Sequence, residues 1–108
     1  MGRRKYLATA QTTLGRALIA RGDAEDATAE LRSAVALADE LGSPLLRWQS
    51  RAALAQAERG VKGAASRADE HAREAAAIID TIAAGLSPER AARYLAAAPV
   101  VEALELAR

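Results

Sequence analysis

The side chains equipped for chemistry are few and poorly spaced for it. His71 is the only histidine and there is no cysteine. That removes a thiol nucleophile, a disulfide, a thiolate metal site, a paired-histidine metal site and any relay built on two histidines. His71 stands between Glu70 and Ala72, off the stripe formed by Ala68, Ala72 and Ala75, and reads as a surface histidine. Carboxylates come in adjacent pairs at Glu25 and Asp26, Asp39 and Glu40, and Asp69 and Glu70. General acid–base work needs carboxyl groups tuned apart by their surroundings. These pairs fall at helix starts or on polar faces, where water surrounds them alike. Neither GxxxxGK[ST] nor GxGxxG occurs, so the glycines build no phosphate cradle. The expectation is a chain that is not an enzyme, with no cofactor, no metal and no small-molecule substrate.

Nucleic acid is an equally weak prospect. Fifteen basic and 14 acidic residues leave a net charge of +1, which exerts no general pull on a phosphate backbone or an anionic membrane. Arg3, Arg4 and Lys5 form a solvated basic end. The segment LSPERAARYLAAAPVVEALELAR faintly resembles a helix-turn-helix. Its second helix, however, offers mainly Val, Ala, Leu and Glu where base reading needs Arg, Asn, Gln or Lys, and Pro99 sits in the turn. Trp48, Tyr6 and Tyr94 are the whole aromatic content. The reading adopted for them is that they plug gaps in an Ala-rich core; the alternative makes Trp48 an anchor for a partner.

The elements that carry these residues are helical throughout. About 30 alanines, the strongest helix former, dominate a chain with few Gly and Pro, so the fold class expected is all-α. Leu7, Ala10, Leu14, Ala17 and Leu18 predict a first helix over about 5–21 with one buried stripe. Gly22 stops it, and Asp23 is positioned to cap a second helix that runs to about Leu41. Gly42-Ser43-Pro44 then reads as stop, N-cap and first helical residue. A third helix spans Pro44 to about Arg59, a turn is bracketed by Gly60 and Gly63, and a fourth helix runs from about Ala64 to Ala84. Gly85-Leu86-Ser87-Pro88 repeats the stop-and-start pattern before two short helices, the second carrying Val100, Val101, Leu104 and Leu106. These two are expected to close the open end. No apolar run is long enough to span a membrane, and no signal-peptide core follows the basic start. A cytoplasmic single domain is the expectation.

Leu14, Gly15, Leu18, Gly22, Ala27, Leu31 and Ala34 are spaced 1, 3, 4, 5, 4 and 3 apart. Small residues at fixed offsets let two helices approach, larger ones fill the space between, and Gly supplies a positive φ at the turn. This pattern resembles a tetratricopeptide repeat. Gly22, Ala27, Leu31, Ala34 and Leu37 recur as Gly63, Ala68, Ala72, Ala75 and Ile78, a constant offset of 41 residues. In the second copy Leu14, Gly15 and Leu18 align with Ala55, Gln56 and Arg59, or with Leu54, Ala55 and Glu58 if the turn holds one extra residue. The period exceeds the 34 residues usual for the family, the surplus lying in the longer second helix and the LADELGSP link. Elongated repeats of this kind look like those in the C-terminal regions of large bacterial signalling and regulatory proteins. The resemblance implies a short α-solenoid of antiparallel hairpins: repeat one about 5–42, repeat two about 43–84, a C-terminal cap about 85–108.

What the resemblance implies for function is a protein–protein interaction scaffold whose concave face holds a peptide or protein. Its groove positions fall on Thr9, Thr12 and Arg16 of the first helix and on Ser50 and Ala53 of the third, with Arg47 and Arg51 nearby. Such a groove is neutral to mildly basic and suits an extended or helical peptide of some acidic character. Two repeats and a cap also leave one face of the first helix without a preceding repeat. Either a longer chain covers it, or a second copy or a partner does. The alternative function is therefore a self-associating module of a transcriptional regulator.

Overall fold

The computed structural model describes residues 2–108, which form six helices: α1 (Gly2–Ala20), α2 (Ala24–Leu41), α3 (Pro44–Arg59), α4 (Ala65–Ala84), α5 (Pro88–Ala96) and α6 (Ala98–Leu106). There is no strand among the described residues, and the all-α class holds. The punctuation follows from local chemistry. Gly22, at φ 86°, ends α1 in a Schellman turn: its N–H donates to the Ile19 carbonyl and that of Asp23 to Leu18. Gly63 takes the same left-handed conformation, φ 84°, forty-one residues later. Ser43 and Ser87 accept the amides of Leu46 and Arg90, each ahead of a proline. Asp23 does not use its side chain as a cap; it faces Arg21 at 3.6 Å.

Helix α3 lies at the centre and packs against α1, α2, α4 and α6. Being touched from all sides, it buries nine residues, including Trp48, Leu54 and Ala55. Two apolar clusters form on it. One joins Leu54, Ala53 and Ala57 to Ala27 and Leu31 of α2. The other joins Trp48 and Ala52 to Ala75 and Ile79 of α4 and to Val100 and Ala103 of α6. Leu31, Leu54 and Ile79 are the largest fully buried apolar side chains, each contributing about 1.5–3 kcal/mol. Alanine makes up most of the remaining core, so cohesion depends on close helix approach. Val100 and Ala103 seat α6 in the core, whereas α5 buries no residue and touches α4 and α6.

The two alignments of the second half differ in burial. Gly15 and Ala55 are buried while Gln56 is half-buried, and the α3–α4 turn is longer than the α1–α2 turn. The register that sets Ala55 against Gly15 matches a buried residue to a buried one, although it also sets the buried Leu54 against the exposed Leu14. A Cβ at Gly15 would overlap the buried Leu31 side chain; the position matching Leu31 in the second half is Ala72. At these positions the first half has a glycine and a leucine and the second half two alanines.

The first helix departs from expectation. Leu7 and Leu14 are 51% and 48% exposed, and Ala10 and Ala17 are exposed too. The contact line runs through Ala8 and Gly15 instead, with Leu18 and Ile19 half-buried. Among the described residues only α2 and α3 pack on α1, and the closest approach selects its smallest residues, which turns the leucine stripe outward.

Candidate functional site

A groove runs between α1 and α6 with α3 as its floor. Thr9, Thr12, Thr13 and Arg16 line one wall, Leu46 and Gln49 the floor, and Pro99 and Glu102 the other wall, around about 300 Å³. The α1 residues are aligned by helical periodicity, since 9, 12, 13 and 16 share one face. Thr12 donates its hydroxyl to the Ala8 carbonyl at 2.9 Å, which fixes its rotamer and leaves its oxygen free to accept. Beneath the groove, a cleft of about 20 Å³ is bounded by Arg16, Trp48, Gln56 and Glu102, among others. Trp48 is 2% exposed, and its indole Nε1 is buried without a protein partner. It plugs the core and offers no exposed anchor. Tyr94 likewise packs on that cluster, but Tyr6 stands 78% exposed on α1.

Four of the expected groove residues lie elsewhere. Ser50 is buried and donates to the Leu46 carbonyl at 2.7 Å. Arg51, 8% exposed, makes a two-pronged contact with Asp39 of α2, at 2.8 and 2.9 Å, and reaches Glu74 of α4 through Nε at 3.2 Å. Arg47 joins the same cluster, its Nε 3.0 Å from Asp39. Ala53 is fully buried against α2. The reason is the central place of α3: a helix packed on four sides directs most of its residues to neighbours, and only Leu46 and Gln49 reach the groove. The arginine cluster ties together α2 and α4, which do not pack directly on each other among the described residues. The hydrogen bond from Arg51 is the main force holding the Asp39 carboxyl below its ordinary pKa; Arg47 adds to it, and partial burial opposes it. The same pairing raises Arg51.

The loss of two arginines and the arrival of Glu102 change the groove's character. Arg16 faces a wall carrying one carboxylate, and the lining is near neutral, with three hydroxyls, one amide and the apolar Leu46 and Pro99. Sequence reasoning missed Glu102 because α6 had no assigned place beside the groove.

His71 also departs from expectation. Its Nδ1 lies 2.6 Å from Oε1 of Glu58, which is 0% exposed at the end of α3, and Arg67 approaches the second carboxylate oxygen at 3.9 Å. The sequence does carry a signal: Glu58 occupies the position of Leu18 in one alignment, so a carboxylate stands where an apolar residue is expected. Asp69 pairs at 3.7 Å with Arg59, whose guanidinium also donates to the Leu106 carbonyl and ties α3 to α6. No group of three or more His, Cys, Asp or Glu among the described residues is arranged to hold a metal. A second depression, about 430 Å³ and mostly apolar, lies between the start of α3 and the end of α4, with Pro44, Arg47, Ile78 and Ile82 among its walls.

Comparison with protein-family models, curated proteins and solved structures finds no match. The groove's own chemistry is then the basis for a functional reading. No helix among the described residues is long and apolar enough to cross a membrane.

Proposed function

We propose that this chain is a non-enzymatic protein-binding scaffold that receives a peptide or protein segment in the groove between α1 and α6. The single observation that carries the reading is the groove lining: three threonines and Arg16 on one wall, Glu102 opposite, and Leu46 and Gln49 on the floor. Hydroxyls, an amide and single opposed charges suit the backbone amides and mixed side chains of a peptide, while Leu46 and Pro99 accept a small apolar group. Support comes also from the recurrence of Gly22, Ala27, Leu31 and Ala34 as Gly63, Ala68, Ala72 and Ala75. The small positions recur buried and both glycines keep a positive φ, in keeping with a tetratricopeptide-like pair of hairpins. Under this reading the chain works in a regulatory or signalling protein, by presenting a surface.

The near-neutral groove narrows the partner from the acidic peptide expected from sequence to a polar peptide of balanced charge. Selection of displayed random peptides against the full chain, with counter-selection against a Thr12→Trp variant, tests it. Convergent peptides that bind the chain and not the variant support the groove; peptides that bind both equally remove it. Self-association, the second reading, draws on the exposed Leu7 and Leu14 of α1, and light scattering over a concentration series separates the two.

A further inference from the structure

Helix α3 carries Arg47, Ser50, Leu54 and Ala57 at spacings of 3, 4 and 3 residues. That stripe is covered mainly by α2: Leu54 and Ala57 pack on Ala27 and Leu31, and Arg47 meets Asp39. Forty residues earlier α1 carries Leu7, Ala10, Leu14 and Ala17 at the same spacings, and all four are exposed. The register is the one that matches Gly15 to Ala55. One chain therefore holds two versions of one helix face, the first bare and the second occupied, and the occupant of the second is visible.

We infer that the bare face of α1 is a docking surface for an acidic amphipathic helix built like α2. Charge decides the class of occupant. Helix α1 carries no carboxylate; of its cations Arg4 is paired with Glu40 of α2 and Arg16 lines the groove, which leaves Arg3 as the one that falls on the stripe. Arg3 and Arg21 extend the stripe at its two ends, four residues beyond Leu7 and Ala17, and both are exposed. The helix that fills the equivalent face, α2, carries five carboxylates, Glu25, Asp26, Glu30, Asp39 and Glu40, against one arginine. A second copy is a poorer fit. Two α1 helices meeting face to face bring Arg3 against Arg3, or against Arg21, whose charge Asp23 already meets at 3.6 Å, and neither helix has a carboxylate of its own to pair with Arg3. Ala10 and Ala17 admit a closely approaching helix, and Leu7 and Leu14 supply the apolar contact.

The test uses the full chain, isotope-labelled, titrated with a peptide of sequence Ala24–Leu41 stapled into a helix through positions 29 and 33. The expected result is saturable amide shifts centred on Leu7–Ala17. Binding falls with added salt, and Leu14→Glu, a change at an exposed site, weakens it at least about tenfold. A second variant at an exposed site, Leu7→Glu, gives the same loss with an unchanged thermal melt, which separates a lost contact from a disturbed fold. A titration that stays flat overturns the inference. So does equal binding of a peptide with its five carboxylates changed to lysine. Self-association of the free chain that Leu14→Glu abolishes also overturns it, by making a second copy the occupant. Shifts confined to Thr12, Gln49 and Glu102 would bear on the groove and count against the α1 face.

Discussion

Arg51 is the most demanding single residue in the chain, because a buried guanidinium needs its partners. Asp39→Asn leaves it with Glu74 as its one carboxylate partner and is expected to destabilise the fold by about 1 kcal/mol, less than a fully buried pair because 42% of the Asp39 side chain is exposed. The folded carboxyl is held below its ordinary pKa, so its contribution is fully present above the unfolded value of about 3.9 and is lost as pH falls through the lowered one. Thermal melts therefore show a gap between the parent and Asp39→Asn near neutral pH that closes in acid; a gap independent of pH refutes the assignment. The Glu58–His71 contact makes a second demand. His71→Ala removes the nearest partner of a carboxylate with 0% exposure and costs about 1–3 kcal/mol. Replacing Glu58 by Leu in the same chain recovers much of the loss, read as Tm. The arginine cluster was not legible in the sequence, and of the Glu58–His71 contact only the carboxylate standing in place of an apolar residue showed. Both join residues of different helices, whose rotation about their axes no local pattern fixes.

At the scale of the helix, far more was readable. Gly, Ser and Pro have local preferences strong enough to set boundaries unaided, and α3 spans Pro44–Arg59 as its punctuation predicts. The orientation of α1 was not readable, because Ala and Leu alternate around it and two apolar faces compete. The face holding Gly15 won since only a residue without a Cβ lets α1 reach Leu31. Gly15→Ala is expected to cost about 1–3 kcal/mol through overpacking. The pair Gly15→Ala with Leu31→Ala recreates the combination found at Ala55 and Ala72, and its cost is expected to fall short of the sum of the two single changes in chemical denaturation. Strict additivity would show that the two positions do not share one space. Gly22→Ala puts a side chain on a left-handed residue at φ 86° and is expected to cost about 1 kcal/mol, with no change at the other helix ends by amide exchange.

Across the whole molecule, the candidate site depends on where the last helix settles. The α1 wall of the groove, with Thr9, Thr12 and Arg16, was legible from helical periodicity. The opposite wall was not, since Pro99 and Glu102 belong to a short helix whose docking depends on Val100 and Ala103 reaching Trp48 and Ile79. Nor was the departure of Arg47, Ser50 and Arg51, which follows from α3 being enclosed by four helices. Everything proposed for function rests on the α1–α6 groove holding another polypeptide. The most direct check is an amide shift map of the full chain saturated with the tightest peptide from the selection described above. The account predicts shifts concentrated on Thr9, Thr12, Thr13, Arg16, Leu46, Gln49 and Glu102, and loss of binding in Arg16→Glu. Shifts lying on the outer faces of α2 and α4, with Arg16→Glu binding as well as the parent, would contradict it.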